Sequence, residues 1–341
     1  MRLLYEIRHV LAIIHETIRV NMRNRRVLRF CSQYLVGGKY KCTLPGDYIY
    51  EKNNQSGLGV ATFSSVRKEQ SLLMTVLGKI MNALTYKVST RGGEIFKGSE
   101  LIISSTETEV KIFAANDGSV LTLYQDKEKL AAIIREKAFY EKYYRVPRTI
   151  STSDNYIIEE FIPHNNIDVV ELFHSLCEDI CNYIEQNKES MVFDHERDRQ
   201  SINCFSQSMG ESRILNDVIG LPKLKVHGDM WSSNIIFDGE QYYLTDFERS
   251  GVRYAMYDFF CFMWSEYHLK EDDRLLRAYF KGEYDNSIRR MAGSLGFLFL
   301  ETSRELYLLA FLVEISTERW VSKELILRNA QKTIKTFVTN Y

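Results

Sequence analysis

The sequence predicts an α+β protein in which a group of short β strands is followed by a larger number of helices. Three β-rich runs succeed one another within a short stretch, as they do in an antiparallel sheet: Leu101–Ser104, Val110–Ala114 and Val120–Tyr124. Further along the chain apolar residues recur at helical spacing, most regularly over Val169–Asn187. The length of 341 residues suits one large two-lobed domain or two ordinary domains.

Composition excludes several classes of protein. Lys and Arg number 44 and Asp and Glu number 45, so the formal net charge is −1 and no global charge attracts nucleic acid. The six cysteines include no Cys-x-x-Cys pair, which indicates a reducing compartment. No secretory signal is visible, and no apolar run reaches the ~18 to 20 residues of a membrane span. We therefore expect a cytoplasmic protein with no nucleic-acid partner.

Residues 1–90 are predicted to form an N-terminal helical extension without recognisable chemistry. Residues 1–30 show a helical apolar stripe, and the second half of this segment is basic. Two interpretations stay open: this helix makes peripheral contact with an anionic membrane, or its stripe packs on the protein while its arginines face water. Residues 31–60 predict loop and turn with at most a short strand, and Phe63–Leu84 predicts a second helix.

Residues 91–163 contain the β-rich runs and are predicted to form a small lobe. A helix is predicted over Lys127–Tyr143, with Glu136 in its middle, and Tyr156–Pro163 is an apolar strand that ends in proline. Residues 164–341 are predicted to form a larger, mainly helical lobe. Within it, residues 188–220 are polar and irregular, and their charged cluster either rims an acceptor site or is a solvated face.

The helices of the larger lobe are predicted from apolar periodicity. Besides Val169–Asn187, the predicted helical segments beyond Asp258 are Phe259–Tyr267, Arg274–Phe280, Ser287–Leu300 and Glu301–Val313. The apolar stretches at the end of this series are predicted to be core, because Glu301, Arg304 and Glu305 interrupt them.

The most informative stretch is the predicted hairpin in the middle of the larger lobe. Two β-type runs, Asn234–Phe237 and Tyr242–Thr245, flank Asp238 and Gly239, and Asp-Gly is a turn dipeptide. Polar residues stand at both ends of this hairpin, so the strands are expected to hold them at fixed positions.

The polar residues around the hairpin have the spacing of a phosphotransferase catalytic loop. Asp229 precedes Asn234 by five positions, and Asp246 closes the second strand. In such a loop one Asp takes the proton of the acceptor hydroxyl, while an Asn and a second Asp hold Mg²⁺ against the nucleotide phosphates. Phosphoryl transfer requires hard oxygen ligands and positioned charge more than covalent work by the protein, and these residue types supply them.

This stretch resembles the catalytic loop of the aminoglycoside phosphotransferase and choline kinase family, which reads His-Gly-Asp-x-x-x-x-Asn followed by Asp-Phe-Glu or Asp-Trp-Glu. The matching residues are His227–Asp229, Asn234 and Asp246–Glu248. The resemblance implies a two-lobed protein-kinase-like fold with a small antiparallel β lobe and a larger helical lobe. It also implies that ATP and Mg²⁺ are used to phosphorylate a hydroxyl of a small molecule or a glycan.

The resemblance assigns roles to individual residues. It implies that Asp229 is the catalytic base and that His227 and Asp258 support the loop. The metal ligands that it implies are Asn234, Asp246 and, for a second Mg²⁺, Glu248. The nucleotide-binding residues that it implies are Ser105 and Thr106 in the turn over the phosphates, Glu136 in the helix, and Glu160, Phe161 and Ile162 in the strand that reads adenine. The residues expected to face the acceptor, aromatic rings beside charges, are Trp231, Arg249, Arg253, Tyr254, Trp264 and Glu266. The same residues equally suit an ordinary edge of the core.

One departure from the family pattern bears on activity. The family places a lysine on the third strand of the small lobe, and this sequence has Thr122 there. Three alternatives stay open. Lys111 on the preceding strand supplies the charge; or a cation near the following helix supplies it (Lys127, Lys129 or Arg135); or nucleotide binding is weak or lost, and the protein is a catalytically impaired binding or scaffold protein with a kinase-like fold.

Overall fold

A computed structural model of the chain describes residues 26–44, 47–50, 88–103, 109–114, 117–209, 220–298, 304–318 and 323–338. The chain divides into two units. The β unit comprises residues 1–135, 147–165 and 236–241, and the helical unit comprises residues 136–146, 166–235 and 242–341. The α+β class is therefore as predicted, whereas the boundaries at 1–90, 91–163 and 164–341 stay a prediction.

The described part of the β unit is built on an eight-stranded antiparallel sheet with the order β3-β1-β2-β4-β5-β6-β8-β7. Its strands are β1 (Gly38–Leu44), β2 (Asp47–Tyr50), β3 (Val88–Thr90), β4 (Glu100–Ile103), β5 (Glu109–Ala114), β6 (Ser119–Tyr124), β7 (Thr149–Thr152) and β8 (Tyr156–Glu160). The three β-rich runs predicted from sequence form its middle, as β4, β5 and β6.

A row of apolar residues runs across the middle of this sheet. Leu101 pairs with Ile112 across β4 and β5, and Ile112 pairs with Leu121 across β5 and β6. All three side chains are fully buried, in one core cluster with Leu28 and Leu35. Because cross-strand neighbours touch on one face of a sheet, this row fixes the register of the three strands.

The segment predicted as loop and turn over residues 31–60 contains two strands, so that prediction was wrong for β1 and β2. Residues 39–44 alternate polar and apolar side chains, which is the period of a strand. The hydroxyl of the buried Tyr40 donates to the carbonyl of Gly98 at 2.8 Å. Of the turn residues that suggested a loop, Gly38 begins β1 and Asp47 begins β2. Of the helix predicted over residues 1–30, only residues 26–30 are described, and they are helical; the helix predicted over Phe63–Leu84 lies outside the described residues.

Helix α1 (Lys127–Tyr140) follows β6. It begins where Asp126 Oδ1 accepts hydrogen bonds from the backbone N–H groups of Glu128 at 2.8 Å and Lys129 at 3.1 Å, an N-terminal cap. It ends at Tyr140, three residues before the predicted end. Residues 136–140, its last turn, belong to the helical unit.

Seven further helices of the helical unit are described: α2 (Val169–Asn187), α3 (His195–Met209), α4 (Tyr257–Lys270), α5 (Arg274–Phe280), α6 (Asp285–Ser294), α7 (Arg304–Ser316) and α8 (Lys323–Thr333). The bounds of α2 and α5 are those predicted. Helix α4 is buried along nearly its whole length and packs against α2, α5 and α7. None of the described helices combines the length and the apolar character that crossing a bilayer requires.

Helix α3 lies in the segment predicted to be polar and irregular, so that prediction was wrong. Its first turn is capped by Asp194, whose Oδ1 accepts from the backbone N–H of Arg197 at 3.0 Å. Ile202 and Phe205 are buried on its inner side. The charges that suggested solvent exposure include Asp198, which is only 7% exposed because it pairs with a lysine of another element.

Two short sheets frame the predicted catalytic stretch. Strand β9 (Lys223–Val226) pairs antiparallel with β12 (Gly251–Tyr254). Strands β10 (Ile235–Phe237) and β11 (Tyr242–Leu244) form the predicted hairpin. The loop between β9 and β10 and the turn between β11 and β12 therefore carry the residues that the sequence singles out.

Candidate active site

The loop after β9 is anchored by a buried carboxylate. Asp258, in the first turn of α4, accepts hydrogen bonds from the backbone N–H groups of His227 and Gly228, both at 2.8 Å. Its side chain is 4% exposed, and burial raises the pKa of this carboxyl, while His227 and the two backbone N–H groups lower it. The start of α4 thus fixes the turn that leads into Asp229.

His227 joins this loop to the end of β11. Its side chain is fully buried, and its Nε2 lies 3.0 Å from the carbonyl oxygen of Thr245. Its Nδ1 accepts the backbone N–H of Asp229 at 3.3 Å. Nδ1 thus faces a donor and Nε2 faces an acceptor, so the ring is fixed on both sides. His227 supports the loop in the way that the resemblance implies.

Gly228 is a position that only glycine fits. Its backbone has a φ of +81°, in the left-handed region. A Cβ atom here would lie 2.3 Å from the carbonyl oxygen of Arg249 and 2.4 Å from Nη1 of Arg253. The loop and the turn after β11 consequently approach each other closely at this point.

Asn234 and Arg249 both hold Asp229. The Nδ2 of Asn234 donates to the Asp229 backbone oxygen at 2.8 Å and to its Oδ2 at 3.0 Å. Arg249 Nη1 forms an ion pair with Asp229 Oδ1 at 2.8 Å. Asn234 is itself fixed, because its carbonyl accepts from both the N–H and the Oγ1 of Thr245 at 2.9 Å. The structure thus joins the predicted base and a predicted metal ligand in one hydrogen-bonded group.

Asp246 stands beside this group in an unusual backbone conformation. Its φ of 64° and ψ of 71° are left-handed, which a non-glycine residue rarely adopts and which costs about 1–3 kcal/mol. Its side chain is exposed. Burial raises the pKa of Asp229, Arg249 opposes this, and the negative charge of Asp246 raises it further. Asp246 directly follows Thr245, whose backbone N–H and hydroxyl are bound to Asn234.

These residues fit a divalent cation. Because Nδ2 of Asn234 makes both contacts with Asp229, Oδ1 is the atom that it can offer to a cation. Asp246 adds an exposed carboxylate, and such oxygens are the ligands that Mg²⁺ prefers. Glu248 is exposed in the adjoining 3₁₀ turn, Phe247–Arg249. Across the described residues there is no group of three or more His, Cys, Asp or Glu side chains arranged for a metal, so the set depends on Asn234.

The predicted acceptor residues are not all equally accessible. Trp231 and Arg249 are half-buried at the catalytic loop. Arg253 is only 9% exposed and pairs with Glu318 at 2.6 Å, and Trp264 is only 7% exposed in the core around α4. Trp231 and Arg249 therefore have more surface accessible to a ligand than Arg253 and Trp264 have.

A polar group next to Trp231 contains Glu266, one of the residues predicted to face the acceptor, and Lys270, which the sequence did not single out. Glu266 is 1% exposed and accepts from the N–H of Ser232 at 3.0 Å and from its Oγ at 2.5 Å. Lys270 lies one helical turn further on, with its Nζ 3.7 Å from Glu266 and 5.6 Å from the centre of the Trp231 ring. The pair of Glu266 and Lys270 could be predicted from their i, i+4 spacing on a helix. The contact of Glu266 with Ser232 in the loop could not be predicted from spacing.

The predicted nucleotide residues of the β unit include an informative pair. Lys111 on β5 lies directly opposite Thr122 on β6, the position at which the family places its lysine. Thr122 is buried, and the Nζ of Lys111 lies 3.2 Å from Glu109. Directly opposed side chains on one face of a sheet have Cβ atoms about 5 Å apart, so the side chain of Lys111 starts beside Thr122 while its ammonium contacts Glu109. Ser105 and Thr106 lie outside the described residues.

The three residues predicted to read adenine lie at and after the end of β8. The N–H of Glu160 donates to the carbonyl of Arg148 at 3.0 Å, and that of Phe161 donates to Gly118 at 2.8 Å. Ile162 is 7% exposed. Their backbone groups are thus partly engaged within the β unit. Lys127, another predicted source of charge, forms an exposed ion pair with Asp154 at 2.8 Å.

Glu136 has partners that the sequence did not indicate. Its Oε2 lies 2.7 Å from Lys225 Nζ and accepts from Ser250 Oγ at 2.7 Å. Lys225 stands on β9, two residues before His227, and Ser250 directly follows Arg249. The only sequence signal for either residue is its nearness to a motif residue.

A family model described as the phosphotransferase enzyme family matches residues 187–293, which include the predicted catalytic loop and the predicted metal ligands Asn234 and Asp246. The match bears out the predicted resemblance over these residues. A search of curated proteins found no significant match.

Solved structures similar to the chain share few of its residues. A choline/ethanolamine kinase family protein from Mesorhizobium loti is 12% identical, covers 68% of this chain and 85% of its own, and has a TM-score of 0.38. A glucosamine kinase in complex with glucosamine, ADP and inorganic phosphate is 13% identical, with coverages of 70% and 82% and a TM-score of 0.39. An amicoumacin kinase in complex with AMP-PNP and Ca²⁺ is 12% identical, with coverages of 69% and 88% and a TM-score of 0.42.

Proposed function

We propose that this phosphotransferase uses ATP and Mg²⁺ to phosphorylate a hydroxyl group of a small molecule or a glycan. The observation that carries the proposal is the group formed by Asp229, Asn234 and Asp246. Asp229 and Asp246 supply carboxylate oxygens and Asn234, which is hydrogen-bonded to Asp229, supplies an amide oxygen; these are the ligand types that Mg²⁺ prefers.

Asp229 is the proposed base. Its Oδ1 and Oδ2 are held by Arg249 and Asn234, so the carboxylate has a fixed orientation before the acceptor binds. A base held in place removes the proton of the acceptor hydroxyl as the phosphoryl group transfers. Asn234 and Asp246 would hold Mg²⁺, which when bound neutralises charge on the phosphates. His227 and Asp258 keep the loop in this geometry through buried hydrogen bonds.

Lys111 is the proposed cation for the nucleotide phosphates. Its place opposite Thr122 supports the first of the three alternatives, since the charge stands one strand away from the usual position. A lysine at this place would bind phosphate as a point charge. The competing proposal, an impaired binding or scaffold protein, is favoured by Thr122 itself, which carries no charge.

Nucleotide binding separates the two proposals. If the chain is an ATP-dependent enzyme, Mg-ATP at ten times its dissociation constant should raise the free energy of unfolding by about 1.4 kcal/mol. The measurement is thermal unfolding with and without Mg-ATP, and Mg-GTP and Mg²⁺ alone are the controls. No stabilisation together with no ATP hydrolysis would favour the scaffold proposal.

A variant then tests the nucleotide assignment. Lys111→Ala should raise the KM for ATP in a hydrolysis assay, because a cation that contacts the phosphates is lost. Lys188→Ala, at an exposed position of the helical unit, is the matched control and should leave KM unchanged. An unchanged KM in Lys111→Ala would remove Lys111 from the nucleotide site.

A further inference from the structure

We propose that Lys225, Glu136 and Ser250 form a polar clamp that positions the metal-binding turn against the catalytic base. The inference rests on the proposed function, and it makes Lys225 a positioning residue for that reaction. It concerns only residues of the helical unit. Neither Lys225 nor Ser250 belongs to the motif that identifies the site.

The centre of the clamp is one carboxylate oxygen. Glu136 Oε2 receives both the ammonium of Lys225 and the hydroxyl of Ser250, each at 2.7 Å. The side chains of Glu136 and Lys225 are 23% and 33% exposed, so the ion pair is partly shielded from water. Hydrogen bonds to a charged group are shorter and stronger than neutral ones, and this carboxylate oxygen accepts two.

Lys225 is itself held in place. Its ammonium lies 4.4 Å from the centre of the Phe139 ring, one turn along α1 from Glu136. The hydroxyl of Tyr183 on α2 donates to its backbone carbonyl. A lysine with both ends fixed loses less side-chain freedom on forming the ion pair than an exposed one does.

Ser250 transmits the position of Glu136 to the site. It directly follows the 3₁₀ turn Phe247–Arg249, and its N–H donates to the carbonyl of Phe247 at 3.3 Å. Asp246 precedes this turn and Arg249 ends it. A fixed Ser250 therefore limits the movement of both the metal ligand and the arginine that holds Asp229.

An aromatic contact acts in parallel with the polar one. Tyr140, one turn after Glu136 on α1, stacks on Phe247 with ring centres 5.6 Å apart and an angle of 19°. Its hydroxyl also lies 3.2 Å from Ser250 Oγ. The last turn of α1 thus holds the metal-binding turn at both ends, by stacking at its first residue and by hydrogen bonding after its last.

The clamp also accounts for Glu136 in a chain that has Thr122. The resemblance implies that this glutamate is paired with a lysine of the sheet. Here Lys225 is the cation of Glu136, so the ion pair links α1 to the strand that carries the catalytic loop. The charge that Glu136 requires is therefore supplied without a lysine at position 122.

The test compares variants of full-length protein in Mg-ATP hydrolysis, with water as the acceptor. Lys225→Met keeps the length of the side chain and removes the charge, and Lys225→Arg keeps the charge. Glu136→Gln and the double variant with Lys225→Met complete a double-mutant cycle. Lys188→Met, at an exposed position, is the matched control. Circular dichroism and thermal unfolding confirm that each variant is folded.

We expect Lys225→Met to lower kcat by about 10- to 100-fold with little change in the KM for ATP, because displaced catalytic groups slow the chemical step. Glu136→Gln should give a similar loss, and the double variant should be no worse than either single variant, since both act through one contact. Lys225→Arg should retain most of kcat. The nearly unchanged KM for ATP would distinguish Lys225 from Lys111, because loss of Lys111 is expected to weaken nucleotide binding.

Three results would overturn the clamp. The first is a Lys225→Met protein with the kcat of wild type, and the second is a pair of losses that multiply in the double variant. The third is a Lys225→Met protein whose KM for ATP rises as in Lys111→Ala, because the lysine would then act on nucleotide binding. Failure of the proposed function is seen separately, as a wild-type protein that neither binds nor hydrolyses Mg-ATP.

Discussion

Two lysines of strand β9 stand two residues apart and have different surroundings. Lys223 is 3% exposed, and its Nζ lies 2.9 Å from Asp198 on α3 and 2.8 Å from Glu314 on α7. The side chain of Lys225 is 33% exposed, and its Nζ lies 2.7 Å from Glu136. The first lysine joins two helices away from the loop, whereas the second joins α1 to the strand that carries the catalytic residues.

The burial of an ion pair determines whether its loss is expected to lower the stability of the protein or to displace a neighbouring segment. Removing one member of a buried ion pair leaves an uncompensated charge inside the protein, which is strongly destabilising. Removing one member of a half-exposed pair costs little stability, because water solvates the remaining partner. Loss of a half-exposed pair is then expected to affect activity only if the pair holds another segment in place. For Lys225 that segment is the turn after β11.

The largest effect on the rate of hydrolysis is expected for a substitution in the catalytic loop, and the effects of the two lysine substitutions are compared with it. Asp229→Asn should lower the rate of Mg-ATP hydrolysis by about 10²- to 10⁴-fold, since the amide cannot accept the proton. Its free energy of unfolding should change little, because the amide avoids the burial of a charge, which is the main cause of the raised pKa of Asp229, but loses the ion pair with Arg249. Hydrolysis assays and urea unfolding check both expectations. An Asp229→Asn protein as active as wild type would refute the base assignment.

The next effect concerns Lys223. Lys223→Met should lower the free energy of unfolding by about 3–5 kcal/mol, because Asp198 and Glu314 would remain buried without their shared cation. The kcat of the folded fraction should stay close to that of wild type. Urea unfolding and active-site-normalised hydrolysis measure the two quantities. If Lys223→Met instead lost kcat and kept its stability, the contrast between the two lysines would be reversed.

The pH dependence of stability tests His268, a partly buried histidine of α4. Burial and nearby Lys332 lower the pKa of His268 to about 4. Its ring lies 2.7 Å from Thr333 Oγ1, which itself donates to the Asn329 carbonyl, so the ring nitrogen donates here. The unfolded chain binds a proton near pH 6.5 and the folded chain does not, so stability is full above about 6.5 and falls as pH drops toward about 4.

The measurement for His268 is the free energy of unfolding against pH in wild type and His268→Gln, which retains a donor for Thr333. Wild type should lose about 3 kcal/mol more than the variant between about pH 6.5 and 4. The kcat values at pH 7.5 should agree, because like Lys223 this residue acts on packing. Parallel pH curves for the two proteins would show that His268 is protonated in the folded state.

The smallest effect is expected for an exposed ion pair. Arg290 on α6 lies 2.7 Å from Glu178 and 2.9 Å from Glu185 on α2. Glu178→Gln should change the free energy of unfolding by less than about 1 kcal/mol, because its side chain is mostly in water. The change should shrink further in 0.5 M salt. A loss as large as that of Lys223→Met would contradict the argument from burial.

Several features of the chain could be predicted from sequence, since they depend on residues that are close together along it. The bounds of α2 follow from a continuous apolar stripe, and the hairpin at Asp238 and Gly239 follows from turn chemistry between two β-type runs. Helix α3 and strands β1 and β2 were missed for different reasons. The alternation over residues 39–44 was present but outweighed by turn residues, whereas Asp198 of α3 is buried only because a lysine of another element pairs with it.

The predicted base and a predicted metal ligand could be found from sequence alone, because Asp229 and Asn234 are five residues apart and their contact is local. Which distant polar and charged side chains meet depends instead on the fold of the helical unit. Glu136 meets Ser250 over a separation of 114 residues, and Lys223 meets Glu314 over 91. No periodicity links residues at such distances, so the folding of the helical unit alone brings these side chains together.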